Sequence, residues 1–204
     1  MTQPSAPPEN LERLSRLQIL VAMAVTAIIL LIVAKIWMRF DQVALLPLDW
    51  SLRAVLIGIA LGVGISLASA GLYQLWPQYR KAANLYLALV LQPLLWADLL
   101  WLGLLPGLSE ELLFRGVMLS AFGLTTTALI LSSLCFGILH LGGTQQWPYV
   151  IWASLVGGIL GYSALATGNL LIPVVAHIST NWIAGITWKL LHPNPPTVKE
   201  AGKG

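Results

Sequence analysis

Charge is what this sequence has least of. Eleven Lys and Arg and eight Asp and Glu make up 9% of its 204 residues, whereas a water-soluble domain carries about 25%. So few charges cannot cover a water-facing surface of this size. The formal net charge of +3 is small; spread over tails and loops, it forms no basic stripe, and a nucleic-acid interface is excluded. The one cysteine, Cys135, rules out an internal disulfide and a cysteine-cluster metal site. Its apolar surroundings also make it a poor nucleophile, because the reactive thiolate needs a polar setting. There is no HExxH motif, no internal repeat and no second domain.

What is present is apolar. Hydrophobic residues make up 57% of the chain, and the mean hydropathy is +0.80. Apolar runs cover about residues 17–37, 52–75, 85–105, 124–141, 147–166 and 169–191, most of them near the ~20 residues a helix needs to cross a bilayer. The first run is too long for a signal-peptide core and lacks a small-residue cleavage site, so it reads as a retained span. The fold class expected is all-α: a polytopic transmembrane bundle of about six spans, plus one helix opening at Ser109, its N-cap, with two acids in its first turn. Residues 1–16 read as a polar tail, 17–83 as two helices with their loops, 84–192 as the core and 193–204 as a second polar tail. Glycines 58, 62, 64 and 71 in the second span predict close helix packing. Tryptophans 37, 50, 76, 101, 147 and 188 fall near span ends, as in an aromatic belt. Basic residues are split too evenly to fix an orientation; an even number of spans puts both tails on one side.

Against this background the charges inside residues 101–190 stand out: Glu110, Glu111, Arg115, His140 and His177. A charged side chain near a bilayer centre costs ~2.5–3.5 kcal/mol on insertion scales, so these groups are expected to face one another in a wet, protein-lined site. Glu111 and Arg115 are four apart and meet on one helical face, which reads as an ion pair. Glu110 is turned about 100° away and is free for other work. Phe136 and His140 share the four-residue spacing, as do His177 and Asn181. Asp98 can cap a helix, pair with Arg80 or Lys81, or line the site; His192 is placed at the interface. A carboxylate beside two imidazoles can hold and deprotonate a water, and an amide with an imidazole can stabilise an oxyanion. The chemistry indicated is hydrolysis of a carbonyl.

Glu110-Glu111-x-x-x-Arg115, Phe136-x-x-x-His140 and His177-x-x-x-Asn181, in that order in membrane helices, resemble the three motifs of the CAAX protease and bacteriocin-processing (Abi) family of intramembrane proteases. The flanking Phe114-Arg115-Gly116 and Gly168-Asn169-Leu170-Leu171-Ile172-Pro173 are similar too. The resemblance covers about residues 90–190. It implies an endopeptidase for a membrane-associated peptide or protein, in a bacterial inner membrane or a related organellar membrane. It implies Glu110 as the base that activates water with His140, and His177 and Asn181 as the oxyanion site. Glu111 and Arg115 orient the set. Both a zinc enzyme, with Glu110, His140 and His177 as ligands, and a metal-independent glutamate protease are compatible with the residues. Two other classes compete: a non-catalytic membrane scaffold on the same fold, and a small proton-coupled transporter.

Overall fold

The computed structural model describes residues 14–193, and among them the chain is all helical, with no strand. The helices are α1 (Arg16–Asp41), α2 (Leu52–Leu75), α3 (Pro77–Leu91), α4 (Trp96–Ala121), α5 (Thr126–Leu139), α6 (Trp147–Thr167) and α7 (Leu171–Leu191). Local chemistry sets several boundaries. Ser15 caps α1 in a reciprocal pair with Gln18. Ser51 and Thr125 accept from the backbone at the starts of α2 and α5. Pro77 and Pro148 occupy first-turn positions of α3 and α6, where the missing N–H has no cost. Gly168, at φ 64°, ends α6 in the left-handed conformation glycine tolerates.

Three helices (α1, α2 and α6 with its preceding turn) are long and apolar enough to cross a bilayer. Their outward residues, such as Val25, Ile28, Ile32, Leu56, Leu67 and Leu155, form an apolar surface suited to lipid. This is an integral membrane protein. The six apolar runs do not become six such helices. The run at residues 85–105 is broken between Leu91 and Trp96, where α3 and α4 meet at a bend of 107°, so the two together make at most one broken span or a re-entrant loop. Pro93 sits in the break and cannot continue a helix. The stretch from Pro77 to Lys81, which lies between two of the apolar runs, opens α3. α5 has 14 residues, or about 21 Å of helix, short of the ~30 Å hydrocarbon layer. α7 is packed against α2 and α4 and carries His177 and Asn181, polar residues that lower its hydropathy.

Glycine sets the contact of α2 with α7. A Cβ at Gly58 would lie 2.7 Å from the Val175 Cβ, and one at Gly62 would lie 2.7 Å from the Ala176 carbonyl oxygen. Gly64 and Gly71 meet nothing within 4 Å among the described residues and do not take part. α4 is one unbroken helix from Trp96 to Ala121, with Ser109 in its middle donating to the Leu105 carbonyl at 2.7 Å. The expected helix start at Ser109 is therefore wrong: the apolar residues before it are already helical, despite Pro106. Immediately after the glutamates α4 loosens into a π-helical stretch, Leu112–Met118, a local form that recurs at functional sites.

Candidate active site

Ser109, Glu110, Glu111 and Arg115 are all buried, Glu111 and Arg115 completely. The predicted ion pair forms, with Arg115 Nη1 donating to Glu111 Oε1 at 2.8 Å. The guanidinium also donates through Nη2 to the Gly157 carbonyl at 2.9 Å and lies 4.3 Å from the centre of the Phe136 ring, a cation–π distance. Such an array leaves Arg115 little freedom and makes it a fixed counter-charge.

The same Oε1 of Glu111 lies 2.7 Å from Nδ1 of His177. One carboxylate oxygen thus gathers two helices, α4 and α7. Because a carboxylate and a carbonyl only accept, the hydrogen-bond network assigns the His177 proton to Nδ1 and turns Nε2 outward. His140 follows the same logic. It ends α5, and its Nδ1 lies 2.9 Å from the Phe136 carbonyl oxygen, so Nε2 is again the free nitrogen. Phe136 links the groups: its ring centre is 4.9 Å from that of His140 and 5.7 Å from that of His177.

Asn181 lies one turn beyond His177 and donates through Nδ2 to the Leu102 carbonyl of α4 at 3.3 Å. Glu110, His140, His177 and Asn181 all line one cavity of about 430 Å³. Oε2 of Glu110 is buried and has no hydrogen-bond partner among the described residues. Such an atom is costly unless water or a ligand satisfies it.

Tyr86 of α3 and Tyr149 of α6 also line the cavity, with ring centres 4.5 Å apart and each 6.2 Å from that of His140. Sequence reading missed both, since an uncharged tyrosine in a largely apolar segment does not stand out as an ionisable group does. Apart from Thr26 and Ser109, the remaining wall is apolar and comes largely from α1 and α3, including Ile19, Met23 and Leu87. Asp98 lies outside this site. It pairs with Arg16, not with Arg80 or Lys81, through two bonds of 2.7 Å, and it also accepts from the Leu95 N–H. The pair ties the start of α1 to the start of α4.

The donor types of a zinc site are present in Glu110, His140 and His177. Among the described residues, however, no three His, Cys, Asp or Glu side chains come together closely enough to hold a metal ion. The metal ligand set raised from the sequence is therefore not assembled.

Residues 92–183 match the family described as type II CAAX prenyl endopeptidase, Rce1-like. Two relatives come from Bacillus subtilis (strain 168), both named as uncharacterized proteins. YpbD is 37% identical over 79 residues, 39% of this chain and 39% of its own length. YyaK is 35% identical over 81 residues, 36% of this chain and 27% of its own. The matched region thus spans well under half of either relative. No solved structure matches.

Proposed function

We propose that this chain, whose residues 92–183 form an Rce1-like domain, is an intramembrane endopeptidase that cleaves a membrane-associated peptide or protein with a glutamate-activated water. The observation that carries this reading is the Glu110 carboxylate. It is buried, has an oxygen without a partner among the described residues and shares a cavity with two imidazoles and an amide. That carboxylate takes a proton from water as the water oxygen attacks the scissile carbonyl carbon. The Nε2 of His140, left free by the bond from Nδ1 to the Phe136 carbonyl, helps hold the water.

The oxyanion then receives hydrogen bonds from the remaining Nδ2–H of Asn181 and from His177. His177 can donate through Nε2 only as the imidazolium, because its Nδ1–H is directed at Glu111. Glu111 is already neutralised by Arg115, so the negative charge that balances the imidazolium is the developing oxyanion itself. As the C–N bond breaks, the proton held by Glu110 passes to the leaving amine.

Membranes of cells making wild type or Glu110→Gln, at matched folded levels, test the reading by their new peptide termini. Termini present with wild type and absent with the variant are expected, and they would name the substrate. Identical termini, with the variant still supporting the cell's phenotype, would overturn it in favour of a scaffold.

A further inference from the structure

Asn181 reaches across to a main-chain carbonyl in the middle of a regular stretch of α4, which raises the question of why that carbonyl is available. In an α-helix each carbonyl accepts from the N–H four residues on. For Leu102 that residue is Pro106, inside α4, and proline has no N–H to give. The bond from Asn181 is made to the same carbonyl.

The packing around it is built for this reach. α4 and α7 run antiparallel in close contact, with small residues at successive crossings. A Cβ on Gly107 would lie 2.5 Å from the Ile178 side chain, one on Gly103 would overlap the Trp182 indole, and one on Gly185 would lie 2.9 Å from the Leu99 side chain. These absences of side chain bring the two backbones near enough for a short amide to span the gap. Pro106 and Asn181 both line the cavity.

We infer that Pro106 is a positioning residue for Asn181: by withholding an N–H from the Leu102 carbonyl, it leaves that oxygen to the Asn181 amide and fixes the side chain in the cavity wall. An asparagine amide has two N–H bonds. Anchoring one to Leu102 orients the other, and with it the proposed oxyanion contact. Glycine or alanine at position 106 would restore a donor that competes for the Leu102 carbonyl and would release Asn181. This inference rests on the peptidase reading for its catalytic meaning, but the link between Pro106 and Asn181 is physical and can be read without a substrate.

The test uses the full chain, labelled with ¹⁵N-asparagine, in lipid nanodiscs. The Asn181 side-chain amide is assigned by its loss in Asn181→Ala. In Pro106→Ala and in Pro106→Val, which keeps the bulk of the ring, the Asn181 amide is expected to shift and to exchange with water at least ~10-fold faster. The Asn84 and Asn169 amides should stay in place. An unmoved Asn181 signal in either folded variant overturns the inference. A second readout takes the peptide termini that Glu110→Gln abolishes. Pro106→Ala should slow their appearance by ~10–100-fold, the scale of a small misplacement of a catalytic group, and should add nothing in an Asn181→Ala background. Losses that multiply in the double variant would show that Pro106 acts elsewhere. If Glu110→Gln leaves the termini intact the peptidase reading fails, while the amide signal still decides the role of Pro106.

Discussion

Nδ1 of His177 lies 2.7 Å from Oε1 of Glu111, across 66 residues of sequence. This contact fixes the orientation of the imidazole, joins α7 to α4, and does both through an oxygen that also accepts from Arg115. Glu111 is therefore the hub of the site, although Glu110 is the carboxylate that lines the cavity.

Removing Glu111 should damage folding as well as activity. Glu111→Ala leaves the fully buried Arg115 without its counter-charge, and breaking one side of a buried pair costs ~3–5 kcal/mol. Thermal unfolding in detergent should show a clear fall in Tm and a lower folded yield. An unchanged Tm would mean that Arg115 is held by Gly157 and Phe136 alone.

Asn181→Ala should slow the chemistry in a protein that still folds. The side chain lines the cavity, donates to Leu102 at 3.3 Å and has a second N–H to offer. Loss of an oxyanion donor slows turnover by ~10²–10³, while the Leu102 carbonyl, left without a donor because Pro106 has none to give, lowers stability by ~1–3 kcal/mol. Full-rate release of the wild-type peptide termini by this variant would remove Asn181 from the mechanism.

Two glycines of α2 provide a paired test of helix packing. Gly62→Ala places a methyl 2.7 Å from a backbone oxygen of α7, whereas Gly64→Ala meets nothing within 4 Å among the described residues. The first should destabilise the protein by about 1–3 kcal/mol and the second should be neutral or slightly stabilising. Equal effects on detergent unfolding would contradict the interface described.

The pairing of Arg16 with Asp98 predicts a change in access to the cavity. Met23 of α1 lines it, so a Met23→Cys probe in a Cys135→Ser chain reports on that wall. Arg16→Gln removes the charge that ties the start of α1 to α4, and labelling of the probe by a thiol reagent should become faster. Identical labelling rates with and without Arg16 would show that α1 is held by its apolar contacts.

The sequence by itself determined the solvent and the class of fold. With 9% charge and 57% hydrophobic residues the chain needs lipid, where a backbone must pair its own polar groups, and continuous apolar runs near 20 residues select helices for that role. It also marked the polar residues that gather in the cavity, since ionisable groups at four-residue spacing in apolar helices have few places to go. It could not show that the run at 85–105 breaks, that α4 begins before Ser109, or that α5 is short, because hydropathy averages over the bends and ends that Pro93 and the turn residues create. Tertiary structure alone decided the distant pairings. Arg16 with Asp98, His177 with Glu111, and Asn181 with Leu102 are separated by 66 to 82 residues, and no local periodicity encodes them. They arise where glycines let backbones approach and where a buried polar atom takes the nearest partner of opposite kind. Leu102 shows this most plainly: its carbonyl seeks a donor because of a proline four residues away, and only the packing of α7 supplies Asn181.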